Sequence, residues 1–360
     1  MGSSDCSMPL SDSADLILVV PTPAERIECL KANSREWKGV LDADQYVQRE
    51  NHLMNQDMTK DGAMTLWILV DRHFPPDNRP ILSSCESFSK RAWLAHDGKV
   101  EQILAHGEDS VRKRGVFFCP LFGYRQIFFM RNVGWKAFPS SHISLPPVSK
   151  DKGKQSVSGV DLDKAGEMQA DDVRRLMCSD AALEKYQQIL REASHNSKRA
   201  KVAFVPDYAA LSWHWAREEF YSKILFPGKG EPKVKGACVE SRKVFICWNR
   251  NFGSTEKDNV LFILRTLYEE PRSPAEEKAV VEALAAALYC AQLEAHEWGR
   301  SRVDIWNPTP VVEKAVKMLS PTAQIEHREQ TSICSLKWNG KQLGLGEDID
   351  WYWNEKYAWC

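Results

Sequence analysis

The sequence predicts an α+β fold built as two successive α/β blocks, and three observations predict it. Between residues 16 and 107 a short apolar strand and two helices lead into a run of strands. Residues 145–156 are rich in Pro, Ser and Lys and read as a linker. Beyond the linker, paired strands, a long helix, a strand and a further helix follow one another, the alternation of a second mixed layer structure. The expected division is a disordered N-terminus over 1–15, a first domain over 16–145, the linker over 146–160 and a second domain over 161–360.

At 360 residues, 43% hydrophobic and 27% charged, the chain is long enough for two cores. A net charge of -1 gives no reason to expect nucleic acid or an anionic membrane surface as a partner. No apolar run is long enough to span a bilayer, and the first residues lack the basic and apolar regions of a secretory signal. The ten cysteines are scattered without a Cys-x-x-Cys pair. Reduced, buried thiols in a cytoplasmic protein are therefore expected, and no metal site.

In chain order, 16–20 is a short strand. Thr22 caps a helix with Pro23 at its first position and Glu25 at its third, a capping box. Ile27, Leu30 and Trp37 share a side of that helix. A second helix over 43–54 is expected to carry Asp44 and Arg49 outward. Residues 64–70 and 81–86 read as strands. Residues 92–95 and 100–107 read as a hairpin closed at His96-Asp97-Gly98-Lys99. In the second block 171–195 is helical by the spacing of Val173, Leu176, Leu183, Tyr186, Ile189 and Leu190. The segment 210–226 is an aromatic helix or loop. Strands are expected at 236–239, 243–248, 260–268 and 303–306. A long Ala-rich helix runs from Pro274 to about Trp298, where Gly299 stops it, and another starts at 307–310.

The stretch 128–146, FFMRNVGWKAFPSSHISLP, reads as an aromatic helical turn stopped at Gly134 and followed by a strand. It resembles the closing segment of a GNAT-superfamily N-acetyltransferase domain, and in particular the fungal lysine-catabolic N6-acetyltransferases. The segments 303–308 (VDIWNP), 327–329 (HRE), 333–338 (ICSLKW) and 348–360 (DIDWYWNEKYAWC) resemble the same family. The resemblance implies two GNAT-like domains and transfer of acetyl from acetyl-CoA to the side-chain amine of free lysine. It also implies a pyrophosphate-binding loop at the end of the strand over 100–107, where Arg112, Lys113, Arg114 and Gly115 match the first half of the pattern. Phe117 stands where the pattern has Gly or Ala, and Met130 stands where many relatives carry a proton-donating Tyr. A non-catalytic GNAT-like scaffold is therefore the second function class. The second block has the acidic turn 269–274, EEPRSP, in the equivalent place, so no CoA is expected there.

Amine acylation needs a base, and Glu101, His106 and Glu108 are the candidates near the cofactor loop. A lysine substrate calls for aromatic and acidic side chains, for which Trp213, Trp215, Trp306 and Asp304 are the candidates, with Trp351, Trp353, Asp348 and Asp350 behind them. Ser140, Ser141 and His142 could donate hydrogen bonds. A serine hydrolase is disfavoured because no Gly-x-Ser-x-Gly occurs.

Overall fold

A computed structural model describes residues 15–107, 116–122, 136–150, 161–328, 331–338 and 349–359. The expected helical turn before Gly134 and the Arg112–Gly115 motif lie outside them. The chain opens with β1 (Leu16–Val19), α1 (Pro23–Trp37) and α2 (Ala43–Met54). Both reciprocal bonds of the α1 capping box are present: Thr22 Oγ1 accepts from the Glu25 N–H at 3.2 Å, and Glu25 Oε2 accepts from the Thr22 N–H at 2.8 Å. Leu30 is fully buried, but Ile27 and Trp37 are about half exposed. Only the arc that meets the sheet is covered. Arg49 of α2 points inward instead of outward and is 5% exposed, because Glu50 and the Tyr221 hydroxyl receive its guanidinium.

β2 (Met64–Asp71) buries alternate residues, as its pattern predicts. β3 is one fourteen-residue strand, Ser83–His96, where the sequence suggested two pieces. Its polar middle, from Ser87 to Arg91, hides the continuity. β4 (Lys99–Gly107) follows across the two-residue turn, with Asp97 and Gly98 both at positive φ, as a type I′ hairpin requires.

The expected helix over 171–195 is two helices, α3 (Ala170–Met177) and α4 (Asp180–Ser194). Ser179 breaks the periodic run by capping α4, accepting from the Ala182 N–H at 3.4 Å. The aromatic segment is a full helix, α5 (Tyr208–Leu225). α6 (Pro274–Glu297) ends at Gly299, whose φ of +62° is the left-handed stop anticipated there. α7 (Pro310–Leu319) is capped by Thr309.

The remaining strands are β5 (Val116–Phe122), β6 (Lys136–Ala137), β7 (Ser140–Leu145), β8 (Gly166–Met168), β9 (Ala200–Phe204), β10 (Gly236–Val239), β11 (Val244–Arg250), β12 (Val260–Leu267), β13 (Arg302–Trp306), β14 (Glu326–Arg328), β15 (Thr331–Trp338) and β16 (Ile349–Trp351). They complete two sheets, and neither sheet is confined to one half of the chain. The first runs β1-β2-β3-β4-β5-β15-β6, with β9 beside the later part of β3 and β16 beyond β9. The second runs β14-β7-β13-β12-β11-β10-β8. Thus β7, which precedes the linker, lies in the second sheet, while β9, β15 and β16, which follow it, lie in the first. The linker and the boundary between sheets do not coincide.

This exchange places the core. α6 and α7 cover one face of the second sheet, and the small Ala283, Ala286, Ala287 and Ala291 let α6 lie close. The other face joins the first sheet in a shared core containing Ala92, Val202, Phe204, Trp215, Cys247, Leu264, Leu336 and Tyr357. The described cysteines are free thiols, and burial raises those of Cys178 and Cys290 to about 12. No described helix is long and apolar enough to cross a membrane. Among the described residues no three His, Cys, Asp or Glu side chains group as metal ligands would.

Candidate active site

In open α/β sheets ligands bind outside the carboxyl ends of parallel strands. Among the described residues, two pairs of consecutive strands form parallel junctions. In the first sheet β4 and β5 pair in parallel over Ala105↔Val116, His106↔Phe117 and Gly107↔Phe118. Residues 108–115 alone link them, fewer than a usual crossover. The link suffices because the strands overlap only at their ends, with β5 running on past β4. The expected cofactor loop, Arg112, Lys113, Arg114 and Gly115, and the candidate base Glu108 fall in this link, outside the described residues. His106 lies on β4 beside Gly107 and pairs with Ser89 of β3. Glu101 is at the other end of β4, five residues away from His106 and exposed beside the hairpin turn. The two therefore do not share a site.

Opposite Gly107 in the register stands Phe88 of β3. On the same face of β3, two residues to either side, are Glu86 and Lys90. Leu66 opposite Glu86 and Met64 opposite Phe88 are buried, which turns this face toward α1 and α2. Glu86 has no hydrogen-bond donor among the described residues. Burial, reinforced by the Glu50 carboxylate and opposed by Arg26 and Arg49, raises its carboxyl to about 7. Phe88 meets Trp213 edge-on at 6.2 Å. Lys90 donates to the Ala358 carbonyl at 3.1 Å, and its ammonium lies 6.0 Å from the Phe88 ring. Next to it His214, held far below its usual range by burial and by Lys90 and Lys356, bonds the Tyr357 carbonyl at 3.2 Å. Glu86 escaped the sequence reading, although a lone carboxylate between Cys85 and Ser87 in a strand was the available signal.

The second junction is the β12/β13 pair. Register runs from Val260↔Arg302 to Ile263↔Ile305, and β12 then continues to Leu267 without that partner. A groove of about 1700 Å³ opens there, between α4, the starts of α6 and α7, and the tail 351–355. The inner end of this fork is filled by the chain itself. Glu355 accepts from the Thr266 N–H at 2.9 Å and pairs with Arg265. The Arg265 guanidinium is in turn ringed by Tyr186, Trp353 and Tyr357 at 4.6, 5.0 and 5.3 Å. Glu269 and Glu270 sit on the connecting turn. A carboxylate on the strand amide and two more on the turn do not suit a pyrophosphate.

The proposed substrate residues are dispersed. Trp213 belongs with the Phe88 row. Trp215 is buried and donates its indole N–H to the Trp248 carbonyl at 2.8 Å. Asp304 is wholly buried, accepting from Ser144 at 2.7 Å and from Arg302 at 2.9 and 3.1 Å. Trp306, two residues on, packs on Trp359 at 4.8 Å, with the Arg328 guanidinium 4.0 Å over its ring. His142 is paired in register with Trp306 and lies 3.4 Å from Glu326; burial depresses its pKa.

The motif segments themselves meet at one knot. Asn307, at φ +46°, accepts from the Ser141 N–H at 2.8 Å and donates its own N–H to the Ser141 carbonyl at 2.8 Å. Its side chain also donates to the Asn354 carbonyl at 2.5 Å. Asn354 donates to Cys334 Sγ at 2.8 Å and accepts from the Trp359 indole at 3.1 Å. The Phe138 N–H reaches the Cys334 carbonyl at 2.9 Å. The residues that carry the resemblance are, in large part, those that fasten the exchanged strands.

Several known proteins are similar to this chain. Among solved structures, a GCN5-related N-acetyltransferase from Kribbella flavida is similar over 90% of this chain and 72% of its own, with 14% identity and a TM-score of 0.45. Saccharomyces cerevisiae N-myristoyltransferase with bound myristoyl-CoA is similar over 92% and 84%, with 10% identity and a TM-score of 0.44. The Saccharomyces cerevisiae protein YGR111W, itself uncharacterized, is 20% identical over 385 residues, 91% of this chain and 93% of its own. The family profile described as the LYC1 GNAT-like C-terminal domain matches residues 142–360, more than half of the sequence. The chain belongs to that GNAT-like family.

Proposed function

We propose that the protein is a cytoplasmic N-acyltransferase that moves acetyl from acetyl-CoA to the side-chain amine of free lysine, the opening step of a lysine degradation route. The observation that supports this reading is the parallel pairing of β4 with β5, whose connecting stretch in the sequence, 108–115, includes Arg112–Gly115. Acetyl-CoA would supply an activated thioester carbonyl. The chain's own part is to hold the donor's phosphates, with Arg112, Lys113, Arg114 and the backbone at Gly115 as proposed partners, and to present a neutral amine. His106 and Glu108 are the proposed proton acceptors near the loop. The second fork has no part in donor binding on this reading, since Glu355 already takes its strand amide.

The test is a calorimetric titration of the 360-residue chain with acetyl-CoA, followed by mass-spectrometric analysis of lysine incubated with both. Saturable binding and N6-acetyllysine are the expected results. Absence of heat and of thermal shift at millimolar acetyl-CoA refutes the reading.

A further inference from the structure

We propose that the face of β3 carrying Glu86, Phe88 and Lys90 is the acceptor subsite, with Glu86 holding the ammonium of an amino acid that bears a terminal amine and Lys90 holding its carboxylate. The inference rests on the acyltransferase reading for its purpose but on separate residues for its chemistry. Strand periodicity sets the three side chains in a row, acid, aromatic, base, with about 7 Å between successive Cα atoms. All three are half-buried, so the row is neither core nor open surface. The Lys90 ammonium lies between two rings, 5.5 Å from that of Phe204 and 6.0 Å from that of Phe88.

Each end has free bonding capacity. Glu86 accepts no hydrogen bond among the described residues. The cations facing it from the neighbouring helices are engaged elsewhere: Arg49 of α2 with Glu50 and Tyr221, and Arg26 of α1 with Asn51 at 3.2 Å. A half-buried carboxylate with no donor among the described residues is incompletely satisfied, and a substrate ammonium is a partner that such a group can take. Lys90 uses one donor on the Ala358 carbonyl and retains two. Between the ends, the half-buried Phe88 ring, backed by the buried Trp213 at 6.2 Å, offers apolar surface to a methylene chain. Phe88 pairs with Gly107, so the row begins where β4 hands over to the proposed donor loop.

The experiment is calorimetric titration of the full chain and of Glu86→Gln and Lys90→Met with lysine, n-butylamine and norleucine, with acetyl-CoA titrated in parallel. Lysine is expected to bind the wild-type chain, and Glu86→Gln to weaken it about tenfold or more while leaving acetyl-CoA affinity unchanged. Lys90→Met is expected to remove the preference for lysine over n-butylamine. Norleucine, which keeps the α-ammonium and carboxylate but lacks the side-chain ammonium, is expected to bind weakly to all three. Lysine that fails to bind the wild-type chain, or binds Glu86→Gln equally well, overturns the assignment. Glu86-dependent lysine binding without acetyl transfer overturns the acyltransferase reading and leaves the subsite standing.

Discussion

A half-buried carboxylate that finds no donor among the described residues works against its own fold. In the unfolded chain glutamate titrates near ~4.3, whereas burial beside Glu50 raises Glu86 to about 7. The folded chain thus holds a proton that the unfolded chain has already released. This contribution to stability is complete below pH ~4, declines from there to about 7, and is flat above. Glu86→Gln removes the decline. Its melting temperature at pH 8 is expected to exceed that of the wild type by about 2–4 °C, and the gap to close at pH 4. Thermal scans at the two pH values check this. A residue kept for packing or pairing would show the reverse, a loss at pH 8. Stability gained together with amine binding lost is the signature of a group retained for function.

At the level of elements, α1 shows the opposite electrostatic case. Arg79 holds the Glu25 carboxyl down at about 2, helped by the N–H groups of Thr22 and Asp77. The Arg79 guanidinium contacts both carboxylate oxygens, at 2.8 and 3.1 Å, and ties the loop before β3 to the start of α1. A depressed carboxyl contributes stability above its unfolded pKa and loses it as pH falls from ~4.3 toward 2. Glu25→Gln is expected to cost about 2–3 kcal/mol at pH 7 and much less at pH 2.5, as read by urea denaturation. The capping box and the type I′ hairpin were legible in the sequence because each is decided by residues within four positions of one another. The inward turn of Arg49 was not, since its partner Tyr221 lies 172 positions away. The same limit hid the Glu86 row, which acquires meaning only when β3 meets α5. Asn307 lies between these cases. Its VDIWNP setting marked a strand followed by a helix, but not the knot. Asn307→Ala removes two side-chain bonds and strains a φ of +46°, so a loss of about 2–4 kcal/mol is expected. Early proteolysis of the tail 351–360 is the accompanying readout.

For the whole molecule the strand exchange decides how the chain can be divided. The Pro, Ser and Lys run at 145–156 has the composition of a domain linker, and local composition carries no information about which sheet a strand will join. β7 fills the place between β13 and β14, pairing Leu145↔Val303 through His142↔Trp306 on one edge and Ser140↔Arg328 through His142↔Glu326 on the other. Without it, α7 covers a sheet with an open edge on β13. In return, β15 gives β5 its second neighbour, and β9 covers Ala92–Ala95 of β3. Residues 1–150 and 161–360 expressed separately would each expose unpaired strand edges and half of the shared core around Val202, Leu264 and Tyr357. Each is expected to aggregate alone. Co-expressed, they are expected to purify together as a soluble complex, because every exchanged pairing can form between two chains as well as within one. The intact chain should melt in a single calorimetric transition, since neither sheet can lose its structure while the other keeps its borrowed strands. Two resolved transitions, or one half that folds and stays soluble by itself, would show that the sheets are separable and that the exchange is incidental to the fold.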